Sequence, residues 1–148
     1  AEKNNLAVLG STNKSEYIQG YFVKYGDGGV DLEPIQNFYK TQIFQLGHHL
    51  KIPVDILNRK ASPDTWSLEV SDEDFFYGMN YETLDTIWCA KENNISLENI
   101  TKLVNLDQSQ IKNLILYLEK RWNSTSHMRK TPSSFKFQNW SIDMLKTI

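Results

Sequence analysis

The sequence predicts an α/β fold, the closing half of such a domain with a helical appendage. Two observations predict it. The run Leu6, Ala7, Val8, Leu9 is short, wholly apolar and bounded by Gly10, the pattern of a buried and parallel strand. From Ile35 onward apolar residues recur at helical spacing, so the order is strand, helix, short strand, then helices.

The elements follow in chain order. The opening Ala1-Glu2-Lys3-Asn4-Asn5 reads as the end of an interrupted helix, so the chain is expected to be a fragment. Residues 15–23 form a short helix ended by Gly26, and residues 30–32 a brief second strand before Pro34. Over 35–50, Ile35, Phe38, Tyr39, Ile43, Leu46 and Leu50 keep helical spacing, with Pro53 beyond the end. Pro53 also begins a turn of helix through Leu57. Residues 58–78 hold no steady period and contain Pro63, Trp66 and the acidic run Asp72-Glu73-Asp74. A loop that long is functional or mobile, and mobility without ligand is expected. Tyr81, Leu84, Ile87 and Trp88 mark the next helix; Leu97, Ile100, Leu103 and Val104 mark another after Ser96. In the last helix Asp107 with Gln110 resembles a capping box, and Ile111, Leu114, Ile115, Leu118 and Trp122 form one stripe. The tail from Asn123 is polar and basic, then carries Pro132 and the aromatics Phe135, Phe137 and Trp140.

A length of 148 residues fits one domain with a sizeable core. Sixteen basic against eighteen acidic residues leave a net charge of −2, which offers no field for nucleic acid. Cys89 is the one cysteine, so an intrachain disulfide is excluded and a reducing compartment fits. No apolar run approaches the roughly 20 residues of a membrane span, and no signal-peptide layout opens the chain. A cytoplasmic location without membrane contact is the default expectation.

Chemistry concentrates in Gly10-Ser11-Thr12-Asn13-Lys14-Ser15-Glu16 and Tyr25-Gly26-Asp27-Gly28-Gly29-Val30-Asp31. Asp27-Gly28-Gly29 alone reads as a tight turn. Its neighbours change the reading. Ser11 and Thr12 supply hydroxyls, Glu16 a carboxylate early in a helix, and Lys24, Asp27 and Asp31 surround the glycines. At a strand's carboxyl end such a set suits phosphate and Mg²⁺. Glu16 is otherwise a solvated helix residue, and Lys40 beside Thr41 reads equally as a surface lysine. The adjacent His48 and His49 point to different helix faces and are read as structural. Cys89 reads as a buried inert thiol. Asp72-Glu73-Asp74 reads as a solvated acidic turn. His127, Arg129 and Lys130 are either a solvated tail or an arm folding over an anionic ligand. No zinc pattern, nucleophile elbow or glycine-rich phosphate loop occurs.

These residues resemble the C-terminal half of NAD synthetase. The resemblance runs from Gly10–Glu16 through Gly20-Tyr21-Phe22-Val23-Lys24-Tyr25-Gly26-Asp27-Gly28-Gly29-Val30-Asp31 and Tyr39-Lys40-Thr41-Gln42. It continues through Ile52-Pro53, Ser62, Trp66, Ser71-Asp72-Glu73-Asp74, Tyr81-Glu82-Thr83-Leu84-Asp85 and His127-Met128-Arg129-Lys130-Thr131-Pro132. It implies an ATP pyrophosphatase with a Rossmann-like (adenine nucleotide alpha hydrolase-like) parallel sheet, of which residues 1–148 are the C-terminal portion. The half bearing the pyrophosphate loop and its Mg²⁺ aspartate is expected to be absent, so the chain alone should be inactive. The implied activity is amidation of deamido-NAD to NAD, with ATP as co-substrate, Mg²⁺ as cofactor and an adenylate intermediate. The implied partners are ammonia, a second copy in a homodimer, and in some members a glutaminase domain.

The resemblance also assigns roles. Glu16 matches the Mg²⁺-binding glutamate; Ser11, Lys40 and Ser62 match ATP contacts. Lys24, Asp31, His127 and Met128 match contacts to deamido-NAD. Asp27 is the acid expected to take the proton from ammonium. Met128 stands where the family usually has lysine, leaving Arg129 or Lys130 to take its place. Two rival readings remain at this level: a non-catalytic, dimerising remnant, and a related ATP pyrophosphatase acting on another carboxylate.

Overall fold

The structure is a computed structural model that describes residues 1–63 and 70–134. Trp66 and the tail aromatics Phe135, Phe137 and Trp140 lie outside the described residues. The described part holds α1 (Lys14–Gln19), α2 (Lys40–His49), α3 (Val54–Leu57), α4 (Tyr81–Glu92), α5 (Leu97–Val104) and α6 (Gln108–Ser124). A single 3-10 turn, Glu2–Asn4, occupies the opening. A second 3-10 turn, Ser126–Arg129, follows α6.

Side chains set the helix starts. Asn13 accepts the Glu16 N–H while Glu16 accepts the Asn13 N–H, a reciprocal cap that opens α1. Asn80 and Ser96 cap α4 and α5, and Asp107 with Gln110 forms the expected box on α6. The first helix is shorter than the 15–23 expected. It ends at Gln19 because Gly20 takes a left-handed φ of 69°. A Cβ there would also sit 2.5 Å from the Thr125 Cβ, so glycine lets the end of α6 close on the exit of α1. The helix expected over 35–50 begins only at Lys40, after a run of turns, with Tyr39 as its N-cap residue.

The sheet is the main departure. Among the described residues it is one parallel bridge, Leu9 to Leu32. The Gly10 N–H donates to the Leu32 carbonyl at 2.7 Å, and the Leu32 N–H to the Val8 carbonyl at 3.2 Å. The parallel direction agrees with the sequence reading, but the burial does not: Leu6 and Leu9 are 63% and 66% exposed. A parallel strand is buried by neighbours on both edges and helices on both faces, and one bridge supplies neither.

The core lies instead where α4, α5 and α6 meet and α1 packs on them. Leu84, Ile87, Ile100, Ile111 and Leu118 are buried, joined by Ile18 of α1. Each such side chain contributes about 1.5–3 kcal/mol. Within residues 58–78 the segment Glu73–Tyr77 is a π-helical turn rather than loop. Phe76 stacks on Tyr21 with ring centroids 4.1 Å apart, and the Arg121 guanidinium lies 3.7 Å from the Phe76 ring centre. Cys89 is exposed, not buried, because it falls off the inward stripe of Tyr81, Leu84 and Trp88. His48 and His49 are exposed in the last turn of α2.

Candidate functional site

Glu16 and Lys40 come together from the starts of α1 and α2. Lys40 Nζ stands 3.6 Å from Glu16 Oε1, with both side chains mostly covered. Glu16 Oε2 accepts the Asn13 N–H at 3.0 Å, so the cap that starts α1 also aims this carboxylate. Burial pushes the Glu16 carboxyl above its ordinary range, against the opposing pull of the Asn13 backbone and the Lys40 charge. The Lys40 ammonium also lies 5.7 Å from the Tyr81 ring centre and 5.9 Å from that of Phe44.

A buried acid fixes this pair from behind. Asp85, on the inward face of α4, accepts the Ser15 hydroxyl at 2.6 Å and both the Thr41 N–H and hydroxyl at 2.9 Å. The Ser15 oxygen in turn accepts the Lys40 N–H at 2.9 Å. Burial raises the Asp85 carboxyl, opposed by the Ser15 and Thr41 hydrogen bonds. Asp72 plays a similar part: it accepts the Tyr21 hydroxyl at 2.9 Å and the Tyr81 hydroxyl at 3.2 Å. The acidic run is therefore not a solvated turn, since Asp72 is only 5% exposed and Glu73 accepts the Tyr81 N–H.

The glycine turn and the tail meet at a cleft of about 370 Å³. Thr12, Lys24, Gly28, Gly29, Glu33 and Met128 are among its lining residues, with Arg129 and Lys130 on the tail side. Lys24 Nζ donates to the His127 carbonyl at 2.8 Å, tying the turn to the tail across the sequence. Within the tail, Ser126–Arg129 is thus a folded turn held against Lys24 and α1. Arg129 is committed inward: it donates to the Tyr17 and Trp122 carbonyls and to the Thr125 hydroxyl. Among the described residues Lys130 forms no ion pair, which leaves its charge for the cleft.

The predicted residues divide between two hollows. Lys24 and Met128 line the cleft just described, while Lys40 and Ser62 line a second hollow of about 380 Å³. Ser11 is exposed. Asp27 is exposed and accepts the Val23 N–H at 2.6 Å, which pins the turn that carries Lys24. Asp31 is exposed and accepts the Val8 N–H at 2.8 Å, so it holds the parallel bridge. His127 contributes its carbonyl to the Lys24 contact.

Among the described residues no three His, Cys, Asp or Glu side chains gather into a metal-binding group. Glu16 fits Mg²⁺ as a single protein carboxylate, the remaining oxygens coming from phosphate and water as such sites commonly arrange. Sequence reasoning gave no site role to Glu33, Asp72 or Asp85, and named Thr12 only as one of two hydroxyls. For Asp85 a signal existed: with Tyr81, Leu84 and Trp88 it occupies the inward stripe of α4, where an acid has no place unless it is bonded.

A family model for NAD synthase matches residues 1–132. The chain is 36% identical over 132 residues to the NH(3)-dependent NAD(+) synthetase of Rhizobium meliloti (strain 1021), covering 89% of this chain and 40% of that one. It is 35% identical over 144 residues to the namesake of Sulfolobus acidocaldarius, covering 97% and 50%. Among solved structures, NMN synthetase from Francisella tularensis superposes with a TM-score of 0.71 at 28% identity, over 93% of this chain and 50% of that one. NH3-dependent NAD synthetase from Campylobacter jejuni gives a TM-score of 0.59 at 27% identity, over 91% and 47%. The chain spans about half the length, or less, of the relatives it matches. It belongs to the NAD synthase family.

Proposed function

We propose that this chain forms part of an enzyme that amidates deamido-NAD to NAD at the expense of ATP, with ammonia as nitrogen donor. The observation that carries the reading is the pairing of Glu16 with Lys40 at 3.6 Å; Lys24 and the residues after α6 line a separate cleft. The pyridine carboxylate oxygen attacks the α-phosphorus of ATP, the bond to the β-phosphate oxygen breaks, and pyrophosphate leaves. Ammonia nitrogen then attacks the acyl carbon and AMP departs with the bridging oxygen. Lys40, with Ser62 and Ser11, contacts the triphosphate and offsets charge on the departing pyrophosphate. Glu16 would hold Mg²⁺, which neutralises phosphate charge when bound. Lys24, Asp31, His127 and Met128 hold the substrate dinucleotide, and Asp27 takes a proton from ammonium so that neutral ammonia attacks.

The same reading includes a Rossmann-like parallel sheet completed by further strands, a homodimer and a cytoplasmic location. In its support, Leu6 and Leu9 are apolar and exposed beside the parallel bridge, as a strand is when its sheet neighbours are supplied elsewhere. The isolated chain is expected to make no NAD, in keeping with its spanning about half the length, or less, of the relatives it matches. A glutaminase domain would change only the source of ammonia.

A second reading has its own support: the superposition on an NMN synthetase has a TM-score of 0.71, against 0.59 for the dinucleotide enzyme. The substrate would then be the mononucleotide, with the same carboxylate chemistry. Titration calorimetry on the complete protein, with deamido-NAD, nicotinate mononucleotide and an unrelated carboxylate such as aspartate, decides the matter. Binding of either pyridine nucleotide supports the assignment; binding of neither sinks it and favours a non-catalytic remnant or another carboxylate.

A further inference from the structure

Arg129 closes the 3-10 turn Ser126–Arg129 and joins it to two helices. Its guanidinium donates to the Trp122 carbonyl in the last turn of α6, to the Thr125 hydroxyl at 2.9 Å and to the Tyr17 carbonyl of α1 at 3.3 Å. The guanidinium carbon also lies 3.8 Å from the Trp122 ring centre. The last carbonyls of a helix have no partner within it, and a nearby cationic side chain can supply one. Among the described residues Arg129 pairs with no carboxylate, so its bonds all go to holding the turn against α1 and α6.

That turn is one wall of the cleft of about 370 Å³. Met128 lines it, and the His127 carbonyl, two residues before Arg129, accepts the Lys24 ammonium at 2.8 Å. A lysine on its flexible stem has a fixed position only where a bond holds it, and among the described residues this is the hydrogen bond that Lys24 Nζ makes. The clamp requires arginine. Its acceptors belong to two helices and the residue after α6, which a planar fork reaches together and a single ammonium does not. The Glu16–Lys40 pair is held by other bonds, through Asn13, Ser15 and Asp85, and does not depend on this clamp.

We propose that Arg129 is a positioning residue for the pyridine nucleotide, acting through the His127 carbonyl on the Lys24 ammonium. This rests on the reading that the cleft takes that substrate. The test is steady-state kinetics on the complete protein, with deamido-NAD and nicotinate mononucleotide as substrates, in wild type, Arg129→Lys, Lys24→Met and the double variant. Arg129→Lys is expected to raise KM for the pyridine nucleotide about tenfold, the effect of losing one or two hydrogen bonds. Both kcat and the KM for ATP should stay within about twofold, since binding is weakened without change to the reacting groups. In the Lys24→Met background the same change should add less than about threefold, because the group it acts through is gone. Thr125→Val, which removes one acceptor, should raise the pyridine-nucleotide KM about threefold, and it provides the reading if Arg129→Lys does not fold. An unchanged pyridine-nucleotide KM overturns the proposal. So does a parallel rise in both KM values, the mark of a merely structural role, or an effect that multiplies in full with that of Lys24→Met. Each of these leaves the pyridine-nucleotide assignment standing. Failure of wild type to use either pyridine nucleotide overturns that assignment and the proposal with it.

Discussion

Asp85 and Ser15, 70 positions apart, are joined by a buried hydrogen bond of 2.6 Å. Through Ser15 this bond reaches the Lys40 N–H, and through Thr41 it reaches the next N–H of α2. One carboxylate on α4 therefore ties the first turn of α1 to the first turn of α2, the turns that carry Glu16 and Lys40. Truncation to Asp85→Ala leaves the Ser15 hydroxyl and two Thr41 donors without their acceptor. The expected loss is about 2–4 kcal/mol, read as a lower urea midpoint at unchanged slope. A loss below about 0.5 kcal/mol, the range of ordinary surface substitutions, would mean that the bond is incidental.

Glu16 gives a pH signature. Its folded carboxyl is raised above its ordinary value of 4.5, with burial as the largest cause. The folded state therefore holds the proton more tightly than the unfolded one. Below the unfolded value both states are protonated and the folded state has its full stability. As pH rises past about 4.5 the unfolded carboxyl ionises first, and wild type loses stability relative to Glu16→Gln. The difference levels once the folded carboxyl ionises. Parallel thermal scans from acid to neutral pH check this; curves that stay parallel throughout, or diverge the opposite way, contradict the burial argument.

Gly20 tests the junction between α1 and the end of α6. With φ at 69° and the Thr125 Cβ only 2.5 Å from where an alanine methyl would stand, Gly20→Ala meets both backbone strain and a clash. A destabilisation of about 1–3 kcal/mol is expected. The Gly20→Ala, Thr125→Gly double variant should recover the steric part but not the strain, and a double-mutant cycle separates them.

Asp27→Asn, made in the complete enzyme, should slow amide formation by more than it slows adenylation. Pyrophosphate release reports the first step and NAD the second, at saturating ATP. Because Asp27 also accepts the Val23 N–H, which asparagine can still do, the turn should survive. Unchanged NAD formation in this variant would remove Asp27 from proton transfer.

Much of this chain was legible from residue order, because helix caps and apolar stripes are local. Asp107 with Gln110, the α6 stripe, and the inward residues Leu84, Ile87 and Trp88 of α4 all follow from spacing within a few turns. The chemistry-bearing turn and the basic tail were also visible as residue types. What residue order could not supply was pairing at long range. The 70-residue reach from Ser15 to Asp85, and the seating of Lys24 on the His127 carbonyl, depend on how helices pack. Burial was equally a tertiary outcome: an apolar run at 6–9 is exposed for want of neighbours, and Asp72 is buried because two tyrosine hydroxyls satisfy it. Local pattern chooses helix ends and faces; only packing decides which distant polar groups must share a hydrogen bond once water is gone.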